Sequence, residues 1–140
     1  MSAEICRRCN VVEECYEFML AYAAQGVSSG DGRQSGGRIR EVLQHAVDAL
    51  TGLADACVRV VTADALDSAE KYFAFLDVLE RDADDSIRTI ELVLAQPSIS
   101  SQLIDNLNAS MHLRALLTDL FLVSDIVTQQ MSRAAGAVAG

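Results

Sequence analysis

Two cysteines separated by two arginines, Cys6-Arg7-Arg8-Cys9, are the first residues in the chain with a distinctive chemistry. Thiolate is favoured in the opening turns of a helix, where unsatisfied N–H groups and the helix dipole act together with cationic neighbours. Cys6 and Cys9 are therefore candidate redox thiols. Cys6 falls on a helical face with Asn10, Glu13 and Glu17, and Cys9 falls on an apolar seam. Redox motifs of this spacing normally follow a strand in a βαβ unit, and no strand is expected here, so incidental thiols are the plainer reading. Zinc capture needs four ligands. Cys15 lies on the wrong side of the helix from Cys6, and no second Cys-x-x-Cys or nearby histidine completes a set.

The two histidines are His45 and His112. Glu41, His45 and Asp48 share one helical face, and Asp105, Asn108, His112 and Asp119 share another. If the two carrier helices run parallel in a bundle, the imidazoles stand at comparable heights. Glu41, His45 and His112 then become candidate ligands for iron or another divalent metal. In outline this resembles the di-iron carboxylate bundles of ferritin-like proteins, which carry buried Glu and Glu-x-x-His pairs. The spacing departs from that pattern. Glu41 and His45 are separated by three residues, and Asn108 stands where a carboxylate would be needed. His45 also sits about 100° or more from its helix's apolar seam, which makes solvated flank histidines the simpler expectation. No cofactor is expected; a metal is the alternative.

A run of charge completes the polar candidates. Asp77, Glu80, Asp84 and Asp85 are interleaved with Arg81 and Arg88. Asp77–Arg81, Arg81–Asp85 and Asp84–Arg88 are spaced for i,i+4 pairing, each contributing a few tenths of a kcal/mol at most. The pattern reads as a solvated helix face, or as an acidic patch for a basic protein partner. No phosphate-binding glycine loop after a strand and no Gly-x-Ser-x-Gly elbow occurs, and neither histidine has a nucleophile beside it. The balance leans away from an enzyme.

The elements that carry these residues are helical. Apolar residues recur at spacings of three and four in four stretches, which predicts an all-α, up-down-up-down antiparallel four-helix bundle with helices at about 3–25, 37–62, 65–95 and 98–133. The first seam is Ile5, Cys9, Val12, Tyr16, Met19 and Ala23, with Ser2 as N-cap and Gly26 just past the end. The second is Ile39, Leu43, Ala46, Leu50, Leu53, Cys57 and Val60, interrupted at Gly52. The third opens on a capping-box-like Asp67/Glu70 pair and runs through Phe73, Leu76, Leu79, Ala83, Ile87 and Ile90. The fourth follows Pro97, capped by Ser98 or Ser100. Five of the eight glycines fall between Gly26 and Gly37, marking a flexible joint, and residues 136–140 read as a flexible tail after a single domain at 1–135.

Two of these helices carry more apolar surface than one seam requires. Val11, Cys15, Phe18 and Tyr22 form a second stripe on the first helix, and Phe121, Leu122 and Ile126 broaden the last. Such surface on a water-exposed chain usually meets a partner, most often an identical copy, so a homodimer built on these helices is expected.

Composition sets the outer limits. The 140 residues include 11 basic and 20 acidic ones, for a formal charge of −9. Residues 64–85 alone hold eight acids and two bases. Phosphate neutralisation needs the opposite sign, so nucleic acid and anionic membrane surfaces are poor partners. No apolar run approaches the ~18 residues of a membrane span, and the N-terminus lacks a signal peptide's apolar core. The expectation is a cytoplasmic, bacterial interaction, assembly or regulatory protein acting as a homodimer. A ferritin-like metal protein and a thiol sensor at Cys6/Cys9 are the alternatives.

Overall fold

Seams spaced at three and four become helices when their apolar faces meet, and the computed structural model builds its six elements this way. It describes residues 3–27, 33–63 and 69–139. The elements are α1 (Ala3–Ala24), α2 (Arg33–Leu50), α3 (Leu53–Ala63), α4 (Ala69–Leu94), α5 (Ser101–Ala109) and α6 (His112–Ala139). No strand occurs among the described residues. None of these helices is long and apolar enough to cross a membrane. Ser2, Asp67 and the centre of the glycine-rich joint, all given roles from sequence, lie outside the described residues.

Two expected helices are each broken in two. The stretch expected at 37–62 starts earlier, at Arg33, and stops at Leu50. Gly52 takes a left-handed φ of +85°, and the chain restarts as α3 at Leu53. A side chain at a positive φ is strained, so this glycine sets a corner rather than a tolerated gap within a helix. The stretch expected at 98–133 breaks at Ser110 and Met111, where Met111 holds a φ of 67° without being glycine. The final helix then runs on to Ala139, through most of the segment read as a tail. Gly26, with φ of 68°, closes α1 as its position implied. Ser100 caps α5 by accepting a hydrogen bond from Leu103 N at 3.1 Å.

The core draws on all six helices. Ile5, Val12, Ile39, Leu43, Leu53, Leu79, Ile90, Ile104 and Leu116 are among its buried members. Burying a side chain of this size contributes roughly 1.5–3 kcal/mol, so these seams carry most of the stabilisation. Ser86 and Ser101 are the buried polar residues among those described. Phe73, expected to face inward, is exposed, and Ser86 and Val93 supply the α4 seam instead. Helices α1 and α4 each pack against α2, α3, α5 and α6.

Helix ends are sealed from a distance. The last carbonyls of a helix have no partner within it. At the end of α2, Arg8 Nη1 donates to Ala49 O at 2.9 Å and to Thr51 O at 2.7 Å. At the end of α4, Arg40 donates to Leu94 O at 2.9 Å and to Gln96 O at 2.6 Å. The end of α1 is tied to the start of α5. Tyr22 Oη donates to Ile99 O, Ser101 Oγ donates to Tyr22 O, and Val27 N donates to Ser101 Oγ at 2.7 Å.

Candidate functional site

The two apolar stripes expected to meet a partner have different fates. On α1, Cys15 and Tyr22 are fully buried inside the chain, and Val11 and Phe18 are half-buried against the core. The ring of Phe18 stacks on that of Tyr22, with centroids 6.3 Å apart, and the Arg38 guanidinium lies 5.9 Å from the Phe18 centroid. Tyr22 is held at the start of α5 by Ile99 O and Phe18 lies beside Arg38 of α2, so the helices on either side of α1 take up this stripe. On α6, by contrast, Phe121, Leu122 and Ile126 remain 54%, 49% and 43% exposed. Leu122 and Ile126 sit one turn apart on the same side of the helix, and Phe121 lies about 100° round from Leu122 with the exposed Asp125 between them.

The histidine constellation does not assemble. His45 and Glu41 are both exposed, and Glu41 pairs loosely with Arg38 at 3.8 Å. Asp48, on the same face, accepts a hydrogen bond from Gln44 at 3.1 Å. His112 opens α6 and is half-buried. Among the described residues, no three His, Cys, Asp or Glu side chains gather as a metal site.

Three thiols, Cys9, Cys15 and Cys57, are held in their protonated form. Burial, then Cys6 and Glu13, push the Cys9 thiol up to about 11. Burial pushes Cys57 up to about 11 as well, with Cys9 adding to it and Arg8 opposing. Burial alone pushes Cys15 up to about 12. This reverses the thiolate expectation at Cys9. The seam position desolvates its sulfur, and Arg8 is engaged by the α2 carbonyls and by Glu4 at 3.2 Å. Cys6 is exposed.

Asp77, Glu80, Asp84 and Asp85 are all exposed on α4. The expected i,i+4 pairs do not close. The ion pairs of the described residues are Glu4–Arg8, Glu4–Arg59 and Arg38–Glu41. Between the end of α1 and α5 lies an open groove of about 580 Å³, lined by residues that include Leu20, Gln102, Asp105 and Asn108. One carboxyl and two amides provide no acid–base pair there, and the Ser101 hydroxyl is taken by Tyr22 O.

One polar contact was missed from sequence. Asp82 of α4 and Asp119 of α6, each half-buried, meet where these helices pack, with the Asp82 carboxyl beside that of Asp119. Burial, followed by the Asp82 carboxyl, pushes Asp119 up to about 7. Asp119 Oδ2 is buried, and no protein N–H or hydroxyl donates to it. The available signal was weak: each aspartate directly flanks core positions, Asp82 beside Ala83 and Asp119 beside Leu120. Their mutual facing depends on how two helices dock, which spacing within one helix does not specify.

No protein-family model matches the chain, and no curated protein and no solved structure shows significant similarity to it.

Proposed function

We propose that this chain is a non-catalytic helical interaction module that associates with a second copy of itself through α6. The observation that carries the reading is the exposure of three large apolar side chains within six residues of α6, Phe121, Leu122 and Ile126. Charge favours the same helix. Across its length α6 balances Arg114 and Arg133 against Asp119 and Asp125, while α4 holds seven acids against three bases. Two chains at −9 each repel at most surfaces, and a helix of balanced charge opposes contact least. The helix contacts fit a four-helix bundle in which α2 with α3 and α5 with α6 serve as two bent members, each lying between α1 and α4. The exposed carboxylates Asp77, Glu80, Asp84 and Asp85 enter no ion pair among the described residues and suit a second, basic protein partner.

Sedimentation equilibrium tests the self-association. A dimer at micromolar concentration is the expected result, and a monomer at the highest attainable concentration overturns the reading.

A further inference from the structure

We propose that Asp82 and Asp119 share one proton across the α4–α6 contact, making the seating of α6 against α4 dependent on pH. The argument starts from donor and acceptor counts. An ionised carboxylate offers acceptors and no donor, so a hydrogen bond between two carboxyls exists only when one of them carries a proton. The Asp82 and Asp119 carboxyls stand beside each other where the two helices pack. Asp119 Oδ2 is removed from water and has no protein N–H or hydroxyl to answer it. A proton held between the two groups supplies the missing donor.

Nothing nearby compensates a second negative charge. From α4, Asp82 is the charged group acting on Asp119. From α1 and α5, the other helices packed against α6, no charged side chain acts on it among the described residues. Along α6, the adjacent turns place Ala115, Leu116, Leu122 and Val123 around it, and His112 stands two turns back, about 10 Å along the axis. Neither aspartate enters any ion pair of the described residues.

The direction of the effect follows from proton counts. An unfolded aspartate ionises near 3.8, whereas folded Asp119 holds its proton up to about 7. Between these values the folded chain binds a proton that the unfolded chain has lost, so raising the pH favours unfolding. The loss is complete once pH passes the folded value, when like charges face each other across the helix contact. The contact is therefore tight in mild acid and loosened in mild base.

The test compares the wild-type chain with Asp119→Asn and Asp82→Asn, followed by thermal unfolding from pH 5 to pH 8.5 and by amide exchange in α6. The variants should gain on the wild type as pH rises, with the difference in Tm widening by about 3 °C or more. Protection of α6 amides, corrected for intrinsic rate, should fall several-fold in the wild type and stay level in the variants. Parallel pH profiles for all three proteins overturn the proposal. Carbon-13 carboxyl titration of the wild type decides the matter without a variant. A midpoint near neutrality supports the shared proton, and two midpoints in the ordinary aspartate range overturn it.

Discussion

Helices α1 and α6 each carry apolar side chains on more than one side, and the chain treats them oppositely. On α1, Cys15 and Tyr22 join Ile5, Val12 and Met19 in the core, so the buried face lies between the two sequence stripes. On α6, Leu113, Leu116, Leu117, Leu120 and Val127 are buried, and Phe121, Leu122 and Ile126 are left outside. Side-chain chemistry does not separate the two cases. The difference is in the number of neighbours: α1 packs on four helices, including a short one formed only because the chain breaks at Met111. An apolar stripe is surplus only relative to the helices that surround it.

The contrast is most easily broken at Tyr22. Tyr22→Ala removes a fully buried ring and its hydrogen bond to Ile99 O, and should cost about 3–5 kcal/mol in urea unfolding. A loss below about 1 kcal/mol would mean that the α1 stripe is not part of the monomer's core. Arg8→Ala should cost about 2 kcal/mol by leaving the α2 carbonyls without a charged donor, read from the same unfolding curves. A negligible change there would show that apolar packing alone positions α1.

For α6 the predicted effect moves from stability to association. Leu122→Glu should weaken self-association at least about tenfold, or about 1.4 kcal/mol, in sedimentation. Its unfolding free energy in dilute solution should change by less than about 0.5 kcal/mol, as expected for an exposed site. A large stability loss would instead place Leu122 in the monomer's packing. The smallest effect concerns the break that separates the two fates. Met111→Gly should gain about 1 kcal/mol of thermal stability by relieving a left-handed residue with a side chain.

Much of the fold was legible in the spacing of apolar residues. The α2 seam from Ile39 to Leu50 and its continuation at Leu53 and Cys57 are buried as read. What spacing did not reveal was where the period is interrupted by backbone. Gly52 announced a weak point, yet the seam runs through it without a phase error, so a corner and a tolerated glycine look alike. Met111 gave no warning, because its left-handed φ is not a preference of its side chain. The candidate sites were less legible. Cys6, Cys9, His45 and His112 drew notice as residue types, but exposure and desolvation, which depend on packing, decide their chemistry. Asp82 and Asp119 each flank a seam rather than lying on it, and only helix docking brings them together.

The tie between the end of α1 and the start of α5 has a consequence for the order of synthesis. Tyr22, Val27, Ile99 and Ser101 close this junction across more than 70 residues. Until the ribosome has released residue 101, the Tyr22 hydroxyl and the Val27 amide have no native partner, and the apolar side of α1 lacks the helix that covers it. The nascent N-terminal half therefore exposes apolar surface that later residues cover, and α1 is locked only when the final third of the chain arrives.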